Sequence, residues 1–160
     1  MKNQQITIWQ QPKIITWSKI LTNSFERLLG RKLIADNTSS ETISQALFFA
    51  PFVVVSHGTE DDPILNYGNQ TALQLWETNW QNLTQMPSRL TAEPINRETR
   101  AKMLEQAATK GYIDNYQGVR ISSTGKRFAI KKAIVWNLTD EEGKYCGQAA
   151  TFSHWTPLEA

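Results

Sequence analysis

Few side chains in this sequence could carry out chemistry. Cys146 is the single cysteine, and the two histidines are His57 and His154. If Cys146 and His154 lie on one strand, they are about 26 Å apart, because each extended residue adds about 3.3 Å. They cannot then form a nucleophile–base pair. No basic cluster surrounds Cys146 to stabilise a thiolate, so we expect its thiol to be a packing group.

A second polar group of residues follows an apolar run and comprises His57, Glu60, Asp61 and Asp62. An imidazole and carboxylates at this separation could bind a metal ion or transfer protons. Their spacing matches no established motif, and acidic residues between two short strands usually form a solvated turn. We predict no catalytic and no metal-binding residue. A small metal- or acid–base-dependent enzyme using His57 and Asp61 or Asp62 is the alternative.

Basic residues are concentrated in positions 81–140, which contain ten basic and five acidic side chains. With Tyr112 and Tyr116 nearby, Arg120, Lys126 and Lys131 could form a sheet surface that binds nucleic acid. Strand alternation divides these residues between two faces, which favours ordinary solvated strands. Weak nucleic-acid binding through the basic strands is therefore a further, disfavoured alternative.

The composition describes one globular domain with an extension. The chain has 160 residues, a formal net charge of +2 and 40% hydrophobic residues, which is enough to form a core. The near-neutral charge indicates no anionic partner. No apolar run reaches the roughly 18 residues that a membrane-spanning helix needs, and a lone cysteine is typical of a reducing compartment. We expect a cytoplasmic protein that does not interact with membranes.

The first strongly periodic segment follows Pro12. Its apolar residues recur at three- and four-residue steps and predict an amphipathic helix that Gly30 ends. Two alternatives are open for this face: it packs on the chain's own core, or it forms a homodimer interface. The interface residues of the second alternative are Ile14, Trp17, Leu21, Phe25 and Leu28.

The remaining elements alternate between short helices and strands. Thr38 and Glu41 suggest the start of a second helix, which Pro51 ends, and Asn69 is a predicted N-cap. Another helix begins near Asn96 and runs toward Gly111. The predicted strands cover 52–56, 63–66, 112–123, 126–138 and 144–155.

The middle strand of the C-terminal meander provides the apolar residues of the predicted core. Strict alternation places Phe128, Ile130, Ile134 and Trp136 on one face, under the helices between Asn69 and Gly111. This order of elements predicts an α+β fold, in which a five-stranded antiparallel sheet has helices on one face and follows an N-terminal helical extension.

Three segments resemble a known family. The stretch NYGNQTALQLW (66–76) is similar to the strand-to-helix junction of PAS domains, and GVRISSTGKRF (118–128) and GQAATF (147–152) resemble strands of the PAS-like MEKHLA family. The similarity covers about 43–155. It implies a division into an arm and helical extension (1–43), a PAS-like MEKHLA domain (44–156) and a tail (157–160).

The resemblance also implies a function. MEKHLA domains occur alone in photosynthetic lineages and at the C-terminus of plant homeodomain–leucine zipper factors, where they are thought to regulate dimerisation. We therefore expect a non-catalytic sensor or interaction module with a possible homodimer or protein partner. Cys and His are missing where flavin-type and haem-type PAS sensors place them, so no cofactor is assigned.

A PAS cavity would lie between the sheet and its helices. Polar groups there could come from Asn115, Gln117 or Gln148. A fully packed core is the alternative interpretation of the same apolar residues. The predicted ligand-binding residues are Trp76, Trp80, Met103, Ile121, Phe128, Ile130 and Trp136.

Overall fold

The computed structural model describes residues 8–35, 38–91 and 97–158, without the side chains of residues 97–101 and 104. The elements follow the predicted α+β order, and the described residues form six strands where five were predicted. The helices are α1 (Pro12–Leu29), α2 (Ser40–Phe48), α3 (Gln70–Leu75), α4 (Trp80–Leu83) and α5 (Arg97–Lys110), with a 3₁₀ turn at Ser88–Thr91. The strands are β1 (Val53–His57), β2 (Leu65–Gly68), β3 (Tyr112–Ile121), β4 (Arg127–Thr139), β5 (Tyr145–Phe152) and β6 (His154–Pro157).

Local sequence signals set the helix ends. Pro12 occupies the first turn of α1, and Gly30 ends it with a φ of 76° and an N–H that donates to the Glu26 carbonyl. Ser39 caps α2 by accepting from the Thr42 N–H, so the cap lies one residue after the predicted Thr38. Asn69 caps α3, as predicted.

The strands form one antiparallel sheet in the order β2-β1-β5-β4-β3. β5 pairs with the second half of β4, and β6 pairs with the first half through Phe128↔Pro157 and Ile130↔Trp155. The predicted fifth strand is therefore interrupted at Ser153 and continues as β6. The three-stranded meander and its order are confirmed.

Two bulges change which residues share a face. Asn115 and Lys132 have φ values of 55° and 57°, and the register of β3 against β4 shifts on both sides of Tyr116. The extra residue in β4 lets Ile130 and Ala133 face the same side, so the residues beyond Lys132 are reversed. The prediction that Phe128, Ile130, Ile134 and Trp136 share one face is wrong.

The sheet therefore separates two apolar clusters. Val53 and Val54 are neighbours in β1 and point to opposite faces. We call the side of Val53 the inner face; its cluster includes Ala72, Trp76, Phe128, Ile130, Ala133 and Phe152. We call the side of Val54 the outer face; its cluster includes Leu21, Phe25, Leu47, Phe48, Tyr67, Trp136, Leu138 and Ala149.

Helix α1 covers the outer face. Ile14, Leu21 and Phe25 are buried there, and Trp17 and Leu28 pack against the same cluster. The Phe25 ring meets the Trp136 ring edge-on at 5.0 Å, and Trp136 donates from its indole N–H to the Leu21 carbonyl at 3.2 Å. Of the two alternatives for this apolar face, the structure has the helix on its own core.

Candidate ligand site on the inner face

The two faces of the central strands differ in burial. The outer-face residues Val54, Ser56, Trp136, Leu138 and Ala149 are all buried. The inner-face residues Val55, Val135, Asn137, Gln148 and Ala150, which alternate with them, are only half-buried. The helices thus exclude solvent from the outer side but leave part of the inner side accessible.

A polar pair marks one end of this accessible strip. Asn137 and Gln148 face each other across β4 and β5, and the Gln148 amide donates to the Asn137 side-chain oxygen at 3.1 Å. The Asn137 amide in turn donates to the Ala107 carbonyl of α5 at 3.1 Å. Its backbone N–H donates to the Gly111 carbonyl at 2.8 Å. These bonds hold the end of α5 on the inner face.

An aromatic cluster marks the other end. Trp76, directly after α3, meets Phe128 at 5.4 Å and Phe152 at 6.1 Å between ring centroids, and Ile130 belongs to the same cluster. Trp76 is 2% exposed, and its indole N–H has no hydrogen-bond partner among the described residues. Three of the predicted ligand-binding residues, Trp76, Phe128 and Ile130, therefore lie together.

Other predicted ligand-binding residues lie elsewhere. Trp80 and Trp136 belong to the outer-face cluster, where Trp80 meets Tyr67 edge-on at 5.6 Å. Ile121 pairs with Arg127 and alternates with inner-face residues, so it faces outward. Met103 is half-buried on α5. Ligand binding by the seven residues named in the sequence prediction stays a prediction.

The expected polar contributors are also separated. Gln148 is on the inner face, whereas Asn115 and Gln117 are exposed. Sequence reasoning did not identify Asn137, Arg120 or Tyr116 as inner-face residues. The face of Asn137 depends on the bulge at Lys132, and an alternation pattern alone does not reveal where a bulge occurs.

The family is settled by a match over nearly the whole chain. The model of the MEKHLA domain matches residues 15–157. This chain belongs to the MEKHLA family.

Among relatives, homeobox-leucine zipper protein HOX29 of Oryza sativa subsp. indica is 25% identical over 152 residues, which is 92% of this chain and 18% of that protein. Homeobox-leucine zipper protein ATHB-14 of Arabidopsis thaliana is 25% identical over 156 residues, 94% of this chain and 18% of that protein. The chain thus spans less than a fifth of the length of these curated relatives.

Solved structures place the MEKHLA domain in the PAS fold. The PAS domain of a protein from Colwellia psychrerythraea superposes with a TM-score of 0.60 and 11% identity, over 74% of this chain and 95% of that one. An RNA-binding light-oxygen-voltage receptor gives a TM-score of 0.60 and 16% identity, over 74% of this chain and 34% of the receptor. At such identities the similarity shows the fold alone. The PAS-like architecture predicted from the element order is confirmed, and no catalytic family is indicated.

A hydrogen-bonded latch joins α3 to the β3–β4 turn of the MEKHLA domain. Glu77 has a φ of 56°, and its carboxylate accepts from the hydroxyls of Ser122 (2.8 Å) and Thr124. Lys126 forms an ion pair with the second oxygen at 3.2 Å. Hydrogen bonds from Thr124 and then Ser122 lower the pKa of Glu77. The latch fixes the end of the inner-face aromatic cluster.

The predicted alternative metal site does not converge. The Nδ1 atom of His57 lies 2.8 Å from the adjacent Gly58 carbonyl, and Asp62 forms an ion pair with Arg89 at 3.2 Å. Backbone N–H groups, its own and that of Ile64, lower the pKa of Glu60. Within 8–35, 38–91 and 97–158, no group of three His, Cys, Asp or Glu side chains could hold a metal ion.

The thiol of half-buried Cys146 and the phenol of buried Tyr67 both have a raised pKa. Burial raises the pKa of Cys146, and Asp140 raises it further, so a thiolate is disfavoured. Burial also raises the pKa of Tyr67 strongly; the Ser18 hydroxyl nearby offsets part of this effect, but it is outside hydrogen-bonding geometry. Neither group is set up as a nucleophile or a base.

The basic residues of the meander are distributed over both faces. Arg120 pairs with Phe128 on the inner face, whereas Lys131 pairs with His154 and both are exposed. Such a division does not concentrate positive charge on one sheet surface. None of the helices in the described part of the chain is long and apolar enough to cross a membrane.

Proposed function

We propose that this MEKHLA domain is a non-catalytic cytoplasmic sensor or protein-interaction module that binds a small ligand between α5 and the inner face. The difference in burial between the two faces carries the proposal. Val55, Val135 and Ala150 are half-buried and leave apolar surface in contact with water. A ligand that covers this surface gains a free energy of roughly 25 cal/mol for each Å² buried. Asn137 and Gln148 provide polar groups at one edge.

The proposed response is a shift between two positions of α5. A ligand that contacts α5 and the sheet binds one position more tightly and so increases its population. Strand β4 connects the two faces, because Phe128 lies on the inner face and Trp136 contacts α1. A change at α5 can thereby alter how α1 lies on the outer face.

Native mass spectrometry of freshly purified full-length protein tests ligand binding. We expect a mass above that of the chain that disappears on denaturation. Ala150→Met fills the accessible strip and should abolish the extra mass, whereas Lys144→Met at an exposed site should retain it. An unmodified mass, together with no rise in melting temperature across a panel of small metabolites, would contradict the proposal.

Association with a second copy or a partner protein is the second part of the proposal. The relatives' printed names include a leucine zipper, a dimerisation element, and this supports association as the output. In the single chain Ile14, Leu21 and Phe25 of the predicted α1 interface are buried on the chain's own core, whereas Trp17 and Leu28 are half-buried and keep surface for a partner. Light scattering of the full chain, with and without ligand, measures this; 18.3 kDa at every concentration would exclude homodimers.

A further inference from the structure

Arg120 directs a charged side chain onto the inner face. It pairs with Phe128, and two residues earlier Gly118 pairs with Ile130, so these β3 residues share the inner face with the aromatic cluster. The Arg120 guanidinium lies over the Tyr116 ring, 5.4 Å from the centroid. Arg120 is half-buried.

This guanidinium is incompletely satisfied. Its Nη1 atom donates to the Tyr116 hydroxyl at 3.5 Å and to the Val119 carbonyl at 3.4 Å, both long contacts. Among the described residues, no carboxylate lies within 4.0 Å of it. By contrast, Arg89 and Lys126 each have an acidic partner at 3.2 Å. A guanidinium has five N–H donors, and a partly desolvated one is stabilised by a planar anion.

The surroundings add further donors and an apolar wall. A Cβ at position 118 would lie 2.7 Å from the Tyr116 hydroxyl oxygen, so Gly118 is what allows this hydroxyl to reach Arg120. The Trp76 N–H on the same face has no partner among the described residues. Phe128 and Ile130 lie beside these donors and are buried, at 4% and 1% exposed, so they form a closed apolar wall next to them.

We infer that Arg120 binds the anionic oxygens of the ligand, so the ligand is a carboxylate or phosphate attached to an apolar body. This rests on the proposed inner-face site and specifies its ligand class. Arg120 holds the anion, with the Tyr116 hydroxyl beside it, and the apolar body points from there toward the half-buried strip of Val55, Val135 and Ala150. A bidentate arginine contact is the strongest way to hold such an anion.

Three matched probes test the inference on the full chain: 1-naphthoate, 1-naphthyl phosphate and the neutral 1-naphthalenemethanol. Binding is measured by calorimetry at low and moderate salt. We expect one or both anions to bind at least tenfold more tightly than the neutral probe. Arg120→Gln should remove this preference, and Arg120→Lys should retain part of it. Arg89→Gln, which removes an exposed arginine already paired with Asp62, should leave it unchanged.

The outcomes separate this inference from the proposed function. Equal binding of the neutral and anionic probes, or an unchanged preference in a folded Arg120→Gln variant, overturns the anionic class while leaving an inner-face site in place. Absence of binding by all three probes overturns the anionic class too, and the co-purification experiment then decides whether any ligand site exists. Circular dichroism and melting temperature check folding, and Arg120→Lys provides a second variant if Arg120→Gln does not fold.

Discussion

Asn69 joins three elements through one buried side chain. Its side-chain oxygen accepts from the N–H groups of Val54 and Ala72, both at 3.1 Å. Its amide nitrogen donates to the carbonyls of Leu47 at 3.1 Å and Phe52 at 2.8 Å. Asn69 is 0% exposed, so water cannot replace these bonds without rearrangement. Asn69→Ala leaves four backbone groups without this partner.

The expected cost follows from these four bonds. A buried polar group that loses its partner costs about 1–3 kcal/mol, and partial relaxation favours the lower end, so we expect roughly 4 kcal/mol in total. The matched control is Asn79, which caps α4 with a single bond to the Asn82 N–H at 2.8 Å in an exposed setting. Asn79→Ala should cost only about 1 kcal/mol, the usual value for an N-cap.

Urea unfolding followed by tryptophan fluorescence measures both free energies of unfolding. We expect the Asn69→Ala variant to lose about 3 kcal/mol more than Asn79→Ala, a difference obtained by subtracting the two expected costs. Equal losses would refute the assignment of Asn69 as a buried junction. In that case its four contacts contribute no more than one exposed cap.

Three further predictions concern α1, the latch and the β4 bulge. A chain beginning at Ser44 lacks α1 and exposes Trp136, so we expect noncooperative unfolding and increased ANS binding; a cooperatively folded truncation would contradict this. Glu77 has a folded-state pKa below its usual 4.5, so it stabilises the fold above pH 4.5 and this contribution is lost as pH falls through the lower folded-state value. Glu77→Gln should therefore give a flatter acid dependence of stability, and an unchanged curve would contradict the latch. Lys132→Gly relieves a positive φ and should change stability by less than about 0.5 kcal/mol, whereas Lys131→Gly should cost about 1 kcal/mol in urea unfolding; equal costs would argue against the bulge.

Local signals were sufficient to predict most elements. Pro12 and Gly30 bound α1 within one residue, and Asn69 is the cap that its position predicted. Turns with glycine at 125 and 143, both with positive φ, separate the meander strands where predicted. Short-range backbone chemistry determines these features, and it is encoded within a few residues.

The site was harder to predict because it depends on the face to which each strand residue points. Asn115 and Lys132 have positive φ values although neither is a glycine, so the residue type at these positions does not predict a bulge. The extra residue at the Lys132 bulge was not predicted. It places Ile134 and Trp136 on the face opposite to the predicted one, and it places Asn137 on the inner face. Alternation is reliable only between such irregularities.

Strand β4 contributes to both hydrophobic cores, and the bulge at Lys132 determines which of its residues belong to each. Phe128, Ile130 and Ala133 belong to the inner-face cluster, and Trp136 and Leu138 belong to the outer-face cluster that α1 covers. Only a few peptide units of one continuous backbone separate these two environments. A rotation or slide of this strand would therefore move side chains on both surfaces of the sheet together, and sequence drift at Lys132 that restored regular pairing would exchange the residues that belong to each.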